Sequence, residues 1–437
     1  MKHNYFKLLL KFVPIFLFLL IYFLVTPENL SQNGWRAFII FLITIYFWAT
    51  GTINISITAL LVILLLMITN TVTPAEALSG FSSSALFLII IGFLLGLGLV
   101  ASGLDNRIVN YFLKICKREN TILAGIMGIT AFLSMIMSNT TTTLLMLPII
   151  VRIARKTKIN GVALFLATAF SANIGGVGFL IGTPPNILVA EVLNLNFNEW
   201  FFYGFPFVII MLILLYLSFY IMFKPTSKMI KFRVENLGRF TLKEKKAASI
   251  ILLALILWFT SPFHNISTVT VGLLAGLLFL LTTYSWNFFQ KHTDWGIVFL
   301  LGGAISMSNA LQTTGAAHWM ANSFLNATGL ENPLFISYSF VLFSLVITQF
   351  IQNTATAAIM APVLVSIANT LNINPIALVL PMGISVSMAF LLPSATAPNA
   401  IMFNKSKIKI KDMAKYGALP TFFALMALFV FCYILIY

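Results

Sequence analysis

Polar side chains are scarce in the apolar stretches of this chain, and they gather at four places: residues 134–143, 175–186, 348–356 and 394–399. Almost none of them is ionisable. The eleven carboxylates (Glu28, Glu76, Asp105, Glu119, Glu191, Glu199, Glu235, Glu244, Asp294, Glu331 and Asp412) fall in loops or at expected helix ends, as do His3, His264, His292 and His318. A proton relay, a transition-metal site or an acid–base pair deep in such a chain would need Asp, Glu or His at depth. The four clusters instead offer hydroxyls, amides, and backbone carbonyls freed where Gly and Pro interrupt helices. That oxygen-rich set suits a small hard cation. It also suits an anion, because Ser, Thr and Asn can donate hydrogen bonds and a broken helix aims its positive N-terminal end at the break. An isolated Thr such as Thr58 needs no explanation beyond helix packing. Ser138-Asn139-Thr140 is different, because it is duplicated.

The duplication is in register. Ser138-Asn139-Thr140 and Gln352-Asn353-Thr354 are 214 residues apart, and each precedes a Met-x-Pro (Met146/Pro148, Met360/Pro362). Thr183-Pro184-Pro185-Asn186 and Thr396-Ala397-Pro398-Asn399 are 213 apart, and Gly103 and Gly315, closing Ala101-Ser102-Gly103 and Thr313-Thr314-Gly315, are 212 apart. Three matches at nearly one spacing point to two copies of one unit.

The elements that must position these clusters are membrane helices. Sixty per cent of the 437 residues are hydrophobic and only 8% charged, with a mean hydropathy of +0.99. The apolar runs approach the roughly twenty residues a helix needs to cross a bilayer, and they do not alternate as barrel strands do. Spans are expected near 12–25, 35–50, 53–69, 85–103, 162–190, 201–223, 247–262, 266–284, 295–311, 376–400 and 417–436. Segments 121–155 and 333–370 are too long for one crossing and polar in the middle, so each reads as a re-entrant hairpin. The expected fold is therefore an all-α polytopic membrane protein of about eleven transmembrane helices and two hairpins. Residues 1–30 form an extra N-terminal helix, 31–223 the first repeat with hairpin 121–155, 224–246 a cytoplasmic linker, and 247–437 the second repeat with hairpin 333–370. Five spans per copy reverse the orientation of the second, which makes the repeats inverted.

The formal charge of +15 raises the question of nucleic acid. The basic residues, however, sit in short segments at 2–11, 107–118, 152–158, 224–246, 291 and 405–415, with Arg36 the exception. Placed in the cytoplasm, those loops satisfy the positive-inside rule and leave no charge for nucleic acid to explain. The N-terminus then lies in the cytoplasm and the C-terminus outside, in a multi-pass protein of the cell (inner) membrane. The basic start and apolar 12–25 resemble a signal peptide, but no small-residue cleavage pattern precedes Thr26-Pro27-Glu28, so the segment is read as a retained helix. Cys116 and Cys432 have no metal or redox spacing.

Met137-Ser138-Asn139-Thr140-Thr141-Thr142, Gly182-Thr183-Pro184-Pro185-Asn186, Gln352-Asn353-Thr354-Ala355-Thr356 and Ala395-Thr396-Ala397-Pro398-Asn399 resemble the divalent anion:sodium symporters, the INDY-type carriers of dicarboxylates and citrate. Asp294-Trp295-Gly296 before Gly302-Gly303 is similar to that family as well. The resemblance covers nearly the whole chain. It implies homodimers that move C4 or C6 carboxylates by an elevator motion, usually driven by sodium, with no other cofactor. It also implies that Ser138, Asn139 and Thr140 contact one carboxylate, and Asn353, Thr354 and Thr396 the other. A first sodium site would use Ser134, Ser138, Asn139 and a carbonyl near Gly176. A second would use Thr348, Asn353 and the Ala395 carbonyl. The departure is Gln352, which stands where the pattern has Ser. Its longer amide is expected to alter the accepted anion or the second sodium site.

An enzyme is disfavoured by the missing nucleophile–base pair, and a passive channel by inverted repeats with two re-entrant breaks. A sodium-independent dicarboxylate exchanger and a carrier of another anion, such as sulfate, stay open on the residues alone.

Overall fold

The computed structural model describes residues 26–157, 159–226, 229 and 237–437, and they form helices joined by short turns with one isolated bridge, Arg118 to Met229. The expected helix at 12–25 lies outside the described residues. Eighteen described helices have ten residues or more. Nine belong to the first repeat: α1 Gln32–Thr50, α2 Ile55–Ile68, α3 Ser84–Ser102, α4 Leu104–Ile115, α5 Glu119–Ile136, α6 Asn139–Lys156, α7 Gly161–Gly176, α8 Pro184–Leu193 and α9 Phe197–Phe223. Nine follow in the second: α10 Leu242–Phe259, α11 Thr268–Thr282, α12 Trp295–Thr313, α13 Ala316–Thr328, α14 Pro333–Ile347, α15 Asn353–Thr370, α16 Pro375–Ser385, α17 Ala397–Ser406 and α18 Ile410–Ile436. Each helix starts 210 to 214 residues before its counterpart nine places later.

Local chemistry sets the boundaries. Side chains of Ser31, Asn54, Ser83, Asn160 and Asn196 cap the first-repeat helices by accepting backbone N–H bonds. Gly103 and Gly315 occupy the left-handed region, at φ 77° and 78°, at the sharp joints between α3 and α4 and between α12 and α13. A conformation that costs glycine little explains why the third repeated motif ends in Gly in both copies.

Helices α3, α5, α9, α12 and α18 are each long and apolar enough to cross a membrane. Two bent pairs add to them: α11 with Trp286–His292, at 116°, and α13 with α14, at 106°. In α3, α5 and α12, 61–67% of the apolar window is buried within the protein, against 33% in α9 and 28% in α18. The outward faces of α9 and α18 carry Ile210, Ile213, Ile221, Phe422, Val430 and Ile434. Such faces are stable only against lipid, and the protein is a multi-pass membrane protein.

Two expectations need correction. The basic segment 107–118 is not a loop: it contains most of α4, an amphipathic helix that buries Leu104, Val109 and Leu113 and exposes Lys114. Its counterpart α13 was likewise not expected. The linker expected over 224–246 ends sooner, because α10 begins at Leu242, where the Thr241 side chain and Glu244 form a reciprocal capping box.

Candidate substrate and cation site

Both hairpin segments are helix–break–helix. Helix α5 ends at Ile136 and α6 begins at Asn139; α14 ends at Ile347 and α15 begins at Asn353. The spans expected at 162–190 and 376–400 are each broken too, between α7 and α8 and between α16 and α17. These breaks carry the four polar clusters, and the hydrogen bonds within them are duplicated. Ser134 Oγ lies 2.7 Å from both Asn139 Oδ1 and the Ala172 carbonyl. Thr348 Oγ1 lies 2.7 Å from Asn353 Oδ1 and 3.1 Å from the Val386 carbonyl. Each residue of the second triplet is 214 positions after its mate.

Each triplet holds three oxygens and one hydroxyl hydrogen, so one contact in each has no proton between its oxygens. A small cation among them relieves that contact, whereas rotating the Asn amide to present Nδ2 is the cation-free arrangement. Gly176 lies against the first triplet: a Cβ there would come within 2.4 Å of Asn139 Oδ1.

The broken spans are stapled in the same duplicated way. Asn186 Nδ2 donates to the Gly176 and Phe179 carbonyls at 2.8 and 2.9 Å. Asn399 Nδ2 donates to those of Ala389 and Leu392 at 2.8 and 3.1 Å. An amide side chain thereby replaces helix bonds that the break removes. The two broken spans are also linked to each other, from Asn173 Nδ2 to Asn399 Oδ1 at 3.0 Å. The residue equivalent to Asn173 is the shorter Ser387, and both Ser387 Oγ and Asn186 Oδ1 are buried without a partner.

The breaks converge on one cavity of about 130 Å³, lined by Ser138, Asn139, Thr140, Gln352, Asn353, Thr354, Ala395 and Thr396 together with the Thr183–Pro184–Pro185 turn. That volume is below the roughly 300 Å³ at which sites for drug-sized ligands begin. Four helices, α6, α8, α15 and α17, start at its edge, so four positive dipole ends face it. Among the described residues, no Lys, Arg, His, Asp or Glu lines it. Burial pushes the Asp105 carboxyl up to about 6, but Asp105 lies on α4 and not at the cavity.

Every expected carboxylate-contact residue therefore lines the same cavity. Ser134, Thr348 and Gly176 sit behind it: Ser134 and Thr348 bond to the cavity residues Asn139 and Asn353, and Gly176 packs on Asn139. The Ala172 and Val386 carbonyls were not foreseen, because nothing in the sequence around them signals a freed oxygen. The opposite wall, Ile89, Gly92 and Phe93 of α3 and Ile297 of α12, was also missed, since nothing marks apolar residues as site residues.

A citrate transporter family profile matches residues 38–369 and again 265–437. The chain belongs to the citrate transporter family. The carrier is 36% identical over 417 residues to an uncharacterized transporter of Haemophilus influenzae, covering 90% of each chain. It is 30% identical to the sodium-dependent dicarboxylate transporter SdcS of Staphylococcus saprophyticus, covering 96% of this chain and 89% of that one. The Staphylococcus aureus SdcS is 29% identical, with coverage of 92% and 86%. In fold the carrier is similar to Neisseria gonorrhoeae MtrF, with TM-score 0.59 at 13% identity over 93% and 96% of the two chains. It is similar also to the Alcanivorax borkumensis YdaH transporter, with TM-score 0.53 at 12% identity over 82% and 86%. The protein is thus a membrane transporter and not an enzyme, and the resemblance read from its motifs holds at the level of the family.

Proposed function

We propose that this protein is a secondary carrier of a small di- or tricarboxylate, coupled to sodium and working by an elevator motion in a homodimer. The observation that carries the reading is the cavity: four helix N-termini and two equivalent oxygen triplets surround it, and among the described residues no basic side chain does. In this reading Ser138, Asn139 and Thr140 hold one carboxylate and Gln352, Asn353, Thr354 and Thr396 the other. The triplets at Ser134 and Thr348, with the neighbouring Ser138, Gly176 and Ala395, take sodium. Bound sodium supplies the full positive charge that the dipole ends lack, so anion and cation bind better together than singly. The SdcS relatives, sodium-dependent dicarboxylate transporters, agree with sodium and dicarboxylate.

The elevator is supported by the walls of the cavity. Its polar groups all come from the hairpins and broken spans, while α3 and α12 contribute only Ile89, Gly92, Phe93 and Ile297. A binding body can slide along the cavity-lining part of this wall without breaking hydrogen bonds to it. Outside that part, the bond from Ser84 Oγ at the start of α3 to Glu191 Oε2 of α8, at 2.6 Å, is one that the motion would break. The proposed orientation has the N-terminus in the cytoplasm and the C-terminus outside the cell membrane. It follows from Lys405, Lys407, Lys409, Lys411 and Lys415 around the start of α18.

The test is uptake of labelled succinate into proteoliposomes, with and without an inward sodium gradient and with unlabelled dicarboxylate inside. Accumulation that follows the sodium gradient supports symport. Uptake that requires internal dicarboxylate and ignores sodium replaces it with exchange.

A second reading, a different anion such as sulfate or a sodium-independent exchange, rests on Gln352. Ser138 caps α6 by accepting from Thr141 N at 3.2 Å and pairs with Thr141 Oγ1 at 2.8 Å. Gln352, the N-cap of α15, makes no such cap, and its amide lines the cavity. Gln352→Ser restores a capping hydroxyl and enlarges the second half of the site. The expected result is a shift of about tenfold in relative uptake across a series of dicarboxylates of increasing length, as one lost or gained hydrogen bond to a charged group predicts. An unchanged substrate panel would show that Gln352 does not set selectivity.

A further inference from the structure

We propose that Gln349 is a positioning residue, which holds the unwound stretch between α16 and α17 against the second hairpin. It rests on the proposed role of Ala395 and Thr396 in the site. Gln349 lies one residue after Thr348 and is 3% exposed. Its Oε1 accepts from the backbone N–H groups of both Leu391 and Leu392, at 3.3 Å each. Its Nε2 donates to the Leu345 carbonyl at 3.1 Å, and its own carbonyl accepts from Ser394 Oγ at 3.4 Å. One residue thus ties α14 to the stretch at three points.

The stretch needs such a tie. The N–H groups of Val386, Ser387 and Met388 still reach the carbonyls of Met382, Ile384 and Ser385 at the end of α16. Those of Leu391 and Leu392 lie past that helix, and buried donors without partners are costly. The bonds also lead directly to the site. The Leu392 carbonyl accepts from Asn399 Nδ2, and Asn399 N donates to Thr396 Oγ1 at 3.2 Å. Gln349 therefore sets the position of the Ala395–Thr396 turn through Leu392 and Asn399.

The first repeat meets the same requirement by other means. The residue 214 places before Gln349 is Met135, and the residue 213 before Leu391 is Gly178. There Met135 packs on the glycine: a Cβ on Gly178 would come within 2.9 Å of Met135 Cε. The same pair of positions is a steric fit in one copy and a hydrogen-bonded bridge in the other. The two halves of the site are thereby supported by different chemistry, and a substitution at 349 acts on the second half alone.

The experiment uses the full-length carrier with Gln349→Met, which installs the residue of the first repeat, and Gln349→Asn, which keeps the amide but is one methylene too short. Gln349→Glu, which keeps both acceptor contacts, is the rescue. Hydrogen exchange of peptides covering 386–396 and 172–182 reads the support itself. Faster exchange at 386–396 in the Met and Asn variants, with 172–182 unchanged and Glu close to wild type, is expected. Unchanged exchange at 386–396 in both variants overturns the proposal, whether or not the carrier moves succinate. In proteoliposomes the half-saturating sodium and succinate concentrations should rise about tenfold in the Met and Asn variants, with maximal rate within about twofold. Loss of maximal rate together with thermal stability, at unchanged half-saturation, would reduce Gln349 to a structural residue and overturn the positioning role. Wild-type protein that neither binds nor transports succinate would remove the functional reading and leave the exchange result standing.

Discussion

Asn139→Ala and Asn353→Ala each lower sodium-driven succinate uptake by at least about a hundredfold, while expression and thermal stability stay close to wild type. Each Asn does two things at one point. Its Oδ1 is one of three oxygens in a triplet, 2.7 Å from Ser134 Oγ or Thr348 Oγ1, and the residue itself is the first of a helix that opens onto the cavity. In the proposed function, alanine removes a cation ligand and a donor to the anion together. Hydrogen bonds to charged groups contribute about 1.5–3 kcal/mol each, so two of them account for the hundredfold loss. Folding is spared because both side chains are only half-buried. The reciprocal contact also remains possible in part, since Ser134 still has the Ala172 carbonyl within 2.7 Å. Uptake in proteoliposomes and sodium-dependent succinate binding in detergent check both halves of the prediction. Near-normal uptake in both variants would remove the proposed site, whereas a loss confined to one would mean that the two triplets are not equivalent.

The residues that made this site legible in the sequence are those whose polarity is out of place. Ser138, Asn139, Asn353, Thr354 and Thr396 stand in apolar surroundings, and their duplication at one spacing gave the pairing of hairpins and broken spans before any geometry. What could not be read has a physical cause in each case. The Ala172 and Val386 carbonyls become ligand candidates only through tertiary contact with Ser134 and Thr348, and alanine and valine carry no mark of it. Ile89, Phe93 and Ile297 act by being apolar, as do most residues around them. Gln349 was visible as a polar residue beside Thr348, but its function depends on the path of a non-helical stretch more than forty residues later. Helix α4 was missed for a different reason. Asp105, Asn106, Arg107 and Lys114 give it the composition of a loop, although Leu104, Ile108, Tyr111, Phe112 and Ile115 recur at helical spacing.

That helix carries the largest expected effect on stability. The Arg107 guanidinium forms a fork with Glu244, Nε to Oε1 at 2.8 Å and Nη2 to Oε2 at 2.9 Å. The two side chains are 12% and 7% exposed. Its remaining donors reach the carbonyls of Leu237, Gly238 and Arg239 at 3.0–3.2 Å, and its Cζ lies 4.4 Å from the centre of the Phe240 ring. One side chain on α4 therefore fastens the end of the inter-repeat linker to the first turn of α10. Arg107→Ala leaves the Glu244 carboxylate without its counter-charge, though still bonded to the Thr241 backbone N–H at 2.6 Å. That loss costs about 3 kcal/mol, the low end for a broken buried pair, and three carbonyls are freed besides. Lysine keeps the charge but has neither the fork nor the planar face that stacks on Phe240, so Arg107→Lys should recover less than half of the loss. Glu244→Gln in the Arg107→Ala background should recover part of it by removing the stranded charge. Thermal unfolding in detergent and limited proteolysis at 237–240 measure the effect. The cavity lies away from this clamp, so the surviving folded fraction should keep the wild-type half-saturation for succinate. A melting temperature unchanged in Arg107→Ala would mean that the linker is held by other contacts, while a changed half-saturation would mean that α4 and the site move as one body.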